Sequence, residues 1–448
     1  MTPSELFRTT RERIDRFNPV LNAVISVDAD AAPAVPSGPL RGLPVTVKEH
    51  LEVAGMPCTA GDPRRKGEVS TADGLPAARL RAAGAVLVGK TNQPTYGLDW
   101  QTHNPVYGTT RNPWNPELTP GGSSGGGAAA VAAGLVPLDL GGDTAGSIRV
   151  PAAFCGIYGH RPSDGLVPRT GGGTPLPNPS RPLLTFGPLA RTPEDLELAL
   201  AALAGPAHGE EVAWRLELPP PRGRRLADLR VAVLDLPPWL PVAAELRAAL
   251  ERVAGAAAAA GARVARRTPE LPGGLDDLHE TFLRVMAGRG SAGADPGFVA
   301  RLRRDGDRWD AAWADGLAAS AAGYIGFHRR RAEHQAALRD FFRDWDVLLA
   351  PVAAVLPFPH DERLTGDWFA TLPVDGTPAR YVWSFFFLAG LASLAGLPAT
   401  AFPAGRTAGG VPVGLQAIGP YLEDHTVTGF CSLLAAEIGG FVPPPLPR

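Results

Sequence analysis

The sequence predicts an α/β fold built around a large mixed sheet, and three observations carry that prediction. In the first half, short apolar runs alternate with segments of helical periodicity. Two Gly/Ser-rich loops sit between strongly apolar, periodic stretches, where a flexible linker would not be found. Charge collects between residues 274 and 345, and uncharged runs return after it. At 448 residues, 45% hydrophobic and 20% charged, the chain has ordinary globular composition and enough length for a large core.

In chain order, Leu43 to Val47 is a short β-type run. Ser70-x-x-Asp73 has the spacing of a helix capping box, and Leu75, Ala78 and Ala82 then mark one helix face. Gly84 ends that helix, and Ala85 to Val88 reads as the next strand. Asn112-Pro113-Trp114-Asn115-Pro116 and Pro120-Gly121-Gly122-Ser123-Ser124-Gly125 are turn chemistry. An alanine-rich helix from Gly126 to Ala133 ends at Gly134, and a strand from Val136 to Leu140 leads into a second Gly/Ser loop at 141–147. Pro219-Pro220-Pro221 marks a softer boundary. Beyond it, Leu229 to Leu234 is a strand, 242–259 a helix and Ala262 to Ala265 a strand. Residues 274–345 are mostly helical, Val347 to Pro351 is a buried strand, and Pro398 to Ile418 supplies two more strands before a final helix.

Several function classes are disfavoured. With 43 basic and 45 acidic residues the formal charge is −2, so nothing in the balance suggests a polyanionic partner. The basic clusters Arg222-Gly-Arg224-Arg225 and Arg329-Arg330-Arg331 are expected on solvated faces. Cys58, Cys155 and Cys431 are odd in number and widely separated, which suggests neither a disulfide framework nor a zinc site. The charged N-terminal segment lacks an apolar signal core, so a cytoplasmic location is expected. Tyr381 to Gly405 is uncharged and long enough to span a bilayer, but Gly390, Gly396, Pro398 and Pro403 interrupt it. A buried helix followed by a buried strand is expected there.

The two Gly/Ser loops carry the chemistry. Glycines let main-chain N–H groups approach a substrate closely, and a serine on such a loop can meet a carbonyl whose oxyanion those groups stabilise. Spacing alone leaves mere turns and phosphate cradles open as alternatives. Gly121-x-Ser123-x-Gly125 fits a nucleophile elbow in form, but that elbow must follow a strand, and Asn115 to Pro120 precedes it. Neither loop ends in the Gly-Lys-[Ser/Thr] of a Walker loop. A nucleophilic serine needs a base, and none of the nine histidines has a diagnostic spacing. Lys48 ends the run Leu43-Pro-Val-Thr-Val47, where it is either a desolvated amine or a strand-end lysine reaching solvent.

Residues 121–152 resemble the amidase signature family, whose Gly/Ser-rich motif ends in Gly-x-Ser-Ile-Arg-x-Pro; here that ending is Gly146-Ser147-Ile148-Arg149-Val150-Pro151-Ala152. Gly42-Leu-Pro-Val-Thr-Val-Lys48-Glu49 is similar to the family's lysine strand. Ala83 to Asn92, Tyr107 to Trp114, Phe154 to Gly159, Gly396-Leu-Pro398-Ala399 and Gly409 to Gln416 resemble further family segments in the expected order. The resemblance implies a large mixed, twisted sheet covered by helices on both faces, in one domain over 1–448. Its sub-regions would be a catalytic core (1–205), an α/β and helical insertion (206–345) and C-terminal strands completing the sheet (346–448). It also implies a catalytic Lys48, a bridging Ser123 after a cis Gly122–Ser123 peptide, and the nucleophile Ser147. The oxyanion hole would be the N–H groups of Thr144, Ala145, Gly146 and Ser147, with Asp143 and Arg149 bracing the loop.

The implied activity is hydrolysis of a carboxamide through an acyl-enzyme, with no metal or organic cofactor. The expected partner is a small-molecule amide, with no nucleic acid and no membrane, and the chain would work as a monomer or homodimer. The alternatives are the glutaminase subunit of a tRNA amidotransferase and a non-catalytic binding protein on the same fold. Asp139 departs from the motif, which usually has a small residue there, and Ala145 replaces a commoner glycine. Glu49-His50 and Gly159-His160-Arg161-Pro162 also differ from the commonest family versions. The loops after 50 and 160 are expected to border the acyl pocket. Trp100, Tyr107, Trp383 and Phe385-Phe386-Phe387 either line that pocket or pack the core.

Overall fold

The computed structural model describes residues 2–28, 31, 37–172 and 182–446. Its centre is an 11-stranded mixed sheet. From one edge the order is Val24–Val27, Val86–Thr91, Pro44–Lys48, Leu138–Asp143, Thr185–Ala190 and Tyr158–Arg161. It continues through Ala399–Arg406, Pro412–Ile418, Val347–Pro351, Arg230–Val233 and Arg263–Arg266. The two C-terminal strands therefore sit in the middle, and each of the three expected sub-regions contributes strands. Helices flank the sheet, and one continuous apolar cluster runs between the layers.

Apolar strands that are buried on both faces read as unbroken hydrophobic runs, which is why Pro44–Lys48 and Val347–Pro351 are legible in sequence. Pro44–Lys48 runs parallel to both neighbours, so the residue at its C-terminal end is enclosed from either side. The helix Leu75–Ala82 forms where expected, but its N-cap is Gly74, with no side-chain cap bond. The expected capping box fails because Asp73 is engaged elsewhere: its carboxylate accepts from Ala54 N–H (2.8 Å) and Arg81 Nε (2.8 Å).

The strand expected at 136–140 lies at Leu138–Asp143 and includes Gly141 and Gly142. Antiparallel pairing with Thr185–Ala190 carries the ladder through both glycines. A Cβ on Gly141 would stand 2.8 Å from Leu189 Cδ1 and 2.9 Å from Ser124 Oγ, so the residue is small because the chain approaches the first Gly/Ser loop there. Between residues 381 and 405 lie the buried helix Trp383–Ala395, stopped by Gly396 at φ 72°, and the start of the strand Ala399–Arg406. Among the described residues no helix is long and apolar enough to cross a membrane.

Candidate active site

Lys48 ends the strand Pro44–Lys48 with its side chain 1% exposed, so the solvent-reaching alternative does not hold. Its Nζ lies 2.6 Å from Ser123 Oγ and 3.0 Å from Ser124 Oγ. Burial pushes the amine down to about 7, against the fields of Asp139 and Asp143, which favour the ammonium. A substantial neutral fraction is thus available near neutrality.

Ser123 and Ser124 precede the helix Gly125–Ala132. The Gly122–Ser123 peptide is cis. A Cβ at Gly122 would stand 2.7 Å from Asp99 O, so only glycine lets the loop pass there. The Ser124 N–H donates to Ser147 O at 2.9 Å and ties the first loop to the second. Ser147 shares a cavity with Lys48 and Ser123. Among the described residues no direct hydrogen bond joins the Ser123 and Ser147 hydroxyls.

Asp143, at the end of Leu138–Asp143, organises the second loop. Its Oδ1 accepts from Gly146 N–H (2.9 Å) and Arg149 Nη2 (3.1 Å). Its Oδ2 accepts from Ile148 N–H (3.1 Å), Arg149 N–H (3.3 Å) and Arg149 Nε (3.0 Å). Burial alone would raise this carboxyl, but Arg149 and then Arg161 outweigh it and hold it at about 2. Arg149 extends the brace to Gln416 Oε1 (2.7 Å), Ala389 O (3.0 Å) and Ser393 Oγ (3.0 Å). One expectation needs correction: the Gly146 N–H is committed to Asp143 and does not point to the cavity as an open donor. Thr144, Ala145 and Ser147 line the cavity, and among the described residues their N–H groups make no hydrogen bond.

The cavity is about 560 Å³. Its floor is Lys48, Ser123, Thr144, Ala145 and Ser147; its wall includes Trp100, Phe298, Trp313, Trp368 and Phe386. Trp100 stacks on Phe385 at 4.7 Å and meets Phe386 edge-on at 4.7 Å, and its indole N–H donates to Ala145 O at 3.2 Å. Trp313 lies on Phe386 at 5.4 Å. Asp99, raised by burial, accepts from the Tyr381 hydroxyl at 2.5 Å and from the Thr365 hydroxyl.

Of the aromatics singled out in sequence, Trp100 and Phe386 line the cavity, whereas Trp383, Phe385 and Phe387 pack in the core. The Tyr107 hydroxyl lies 3.4 Å from Glu49 Oε1, away from the cavity lining. His50 lines the cavity, and so does Leu184, at the far end of the loop that follows the strand Tyr158–Arg161; Arg161 itself is buried and donates to Leu397 O (2.8 Å) and Leu183 O (3.1 Å). Sequence reasoning missed Ser124, although it adjoins Ser123 in the loop. It also missed Phe298, Trp313 and Trp368, which stand in the charged helical stretch or after it with no local sign of their destination.

A family model described as Amidase matches residues 5–428. The chain belongs to the amidase signature family. It is 32% identical to a glutamyl-tRNA(Gln) amidotransferase subunit from Thermus thermophilus, over 95% of this chain and 92% of that one. It is 34% identical to a Mycobacterium bovis protein named as an amidase, AmiA2, over 98% and 90% of the two chains. A solved bacterial aryl acylamidase of the amidase signature enzymes superposes with a TM-score of 0.79 at 27% identity, covering 98% of this chain and 93% of that one. The family's enzymes cleave amide C–N bonds, and the mixed sheet flanked by helices is their fold.

Proposed function

We propose that this amidase acts alone on a carboxamide carrying a bulky apolar or aromatic group, with Ser147 as nucleophile and Lys48 as base through Ser123. The single observation that carries the reading is a buried, depressed amine 2.6 Å from Ser123 Oγ beneath a cavity that Ser147 shares. Neutral Lys48 takes the Ser123 proton as Ser123 takes that of Ser147, once rotation about the Ser147 Cα–Cβ bond turns its hydroxyl to Ser123. Ser147 Oγ then attacks the carbonyl carbon, and the developing oxyanion meets the free N–H groups of Thr144, Ala145 and Ser147. The relay runs backward to protonate the departing amine, and water, deprotonated along the same path, releases the carboxylate. Asp143 and Arg149 hold the loop and touch no reacting atom.

The aromatic wall supports the substrate class: Trp100, Trp313, Trp368 and Phe386 offer area and little fixed charge. No nucleic acid, membrane, metal or organic cofactor enters this reading, which takes the enzyme as a cytoplasmic monomer or homodimer. A glutaminase subunit is the second reading, favoured by the Thermus likeness and by Arg289 and Arg301 on the cavity lining, which suit a carboxylate. Hydrolysis of simple aryl and alkyl amides by the purified chain, with free glutamine untouched, separates the two.

The test is Lys48→Ala together with fluorophosphonate labelling. The variant is expected to fold and to lose on the order of 10³-fold or more in amide kcat/KM. Its loss should be far smaller on activated esters, whose leaving group needs no proton. In the parent, kcat/KM falls as pH drops below about 7, where the amine takes up its proton. Equal losses on both substrates, or a label on a residue other than Ser147, would overturn the assignment.

A further inference from the structure

Asp139 is the motif position at which this chain departs from the family's usual small residue, and the structure gives it surroundings that the reading above leaves unused. It stands on Leu138–Asp143 opposite Thr46 of the lysine strand, fully buried. Parallel pairing directs Asp139, Thr46, Lys48 and Thr91 to one face of the sheet. Oδ1 accepts from the hydroxyls of Thr46 (2.8 Å) and Thr91 (2.9 Å). Oδ2 has no partner among the described residues. A Cβ on Gly127 would stand 2.0 Å from Oδ2, so the bare backbone of the helix Gly125–Ala132 makes the room that the carboxyl fills.

We propose that Asp139 is a positioning residue for the general base, its carboxylate setting the strength of Lys48 through the sheet without exchanging a proton with substrate. The inference rests on Lys48 being that base. The elements packed against Asp139 carry few other charges. The strand Pro44–Lys48 contributes Lys48, and Val86–Thr91 contributes Lys90, whose field is felt although its side chain leaves from the other face. The helix Gly125–Ala132 and the facing strand Thr185–Ala190 contribute no titratable group. Asp143 also acts on Lys48, but its arginines keep it ionised throughout the working range, so its field is constant. Asp139 is different. Burial raises its carboxyl while the two threonine hydroxyls, Lys48 and Lys90 favour the anion, so its charge changes in the range where Lys48 titrates.

The consequence has a definite sign. An ionised Asp139 offsets part of the burial penalty on the ammonium and keeps Lys48 a stronger base than its surroundings alone would allow. With that charge removed, Lys48 loses its proton at lower pH and is a weaker acceptor for the serine proton.

The measurement is the pH profile of amide kcat/KM for the full-length enzyme and for Asp139→Asn. The acid limb is expected to move down by about 1 pH unit, with a plateau loss of roughly threefold from the weaker base. Circular dichroism melts establish that the variant is folded. Should Asp139→Asn fail to fold, Asp139→Ala restores the family's small residue and is expected to show the same shift. Thr46→Val keeps the carboxyl but removes a donor that favours its anion, and should shift the limb the same way by less. An acid limb unmoved in a folded Asp139 variant would overturn the proposal, even with kcat/KM lowered, because a merely structural role lowers activity at every pH alike. If Lys48→Ala itself retained amide turnover, the reading of Lys48 as base would fail instead.

Discussion

The floor and the wall of the cavity are built on different principles. The floor is polar and directional: Lys48 meets two serine hydroxyls, the first loop is bonded to the second, and Asp143 receives five donors from one loop and one arginine. The wall is aromatic area, drawn from Trp100 and from residues between 298 and 386 that pack ring on ring. A directional network fails when one partner is removed, whereas stacked area weakens in proportion to what is lost. Substitutions in the floor should therefore act on kcat or on folding, and substitutions in the wall on KM.

The sharpest way to break this contrast is Arg149→Met. It leaves the Asp143 carboxylate buried, with Arg161 as the nearest remaining cation at 3.9 Å. Loss of one partner from a buried pair costs about 3–5 kcal/mol, and that drop is expected in denaturant unfolding. A loss below about 1 kcal/mol would mean that the N–H donors and Arg161 suffice, and that the brace is less cooperative than its geometry.

A smaller effect lies behind the wall. His279 is buried in a cage of Trp239, Trp309, Trp383 and Phe387, with neither ring nitrogen hydrogen-bonded among the described residues. Burial, with some help from Arg308, pushes it down to about 3, so it folds as the neutral ring. Its folded value lies below its unfolded value of 6.5, so its contribution is fully present above pH 6.5 and is lost as pH falls toward about 3. Between pH 7 and pH 5 that is about 2 kcal/mol. His279→Phe should lose less stability than the parent over this interval in parallel melts, whatever its stability at pH 7. Equal slopes would show that the cage admits a proton or a water.

The mildest perturbation is Trp313→Ala at the wall itself. It should raise KM for aryl amides by about tenfold, in keeping with the loss of one large ring face, and leave acetamide turnover within about twofold. A matching fall in kcat on both substrates would erase the distinction between floor and wall.

Much of this protein was legible because the relevant signals are local. The unbroken apolar runs at 43–47 and 347–351 read as buried strands, and the glycine and proline interruptions in 381–405 pointed to a helix and a strand. The motif at 121–152 together with the lysine-strand segment at 42–49 brought Lys48, Ser123 and Ser147 into one hypothesis, and the structure brings all three to one cavity. The failures came where a polar group had a choice of partner. Asp73 does not cap the helix Leu75–Ala82, its carboxylate being bonded to Ala54 N–H and Arg81 Nε, and the Gly146 amide is taken by a carboxylate three residues before it.

By itself, then, the sequence determined the class of fold and the order of most elements, since periodicity and turn chemistry are properties of neighbouring residues, and through its likeness to a family motif it put forward the candidate residues of the proposed reaction. Only the tertiary structure decided that Lys48 is enclosed instead of reaching solvent, because that depends on the strands at 86–91 and 138–143 closing on either side. It alone brought Asp139 onto the face of the sheet that carries Lys48, and Phe298, Trp313 and Trp368 to the cavity. Burial and electric fields are set by groups that meet in space across many positions of chain, and no local pattern records which groups those are.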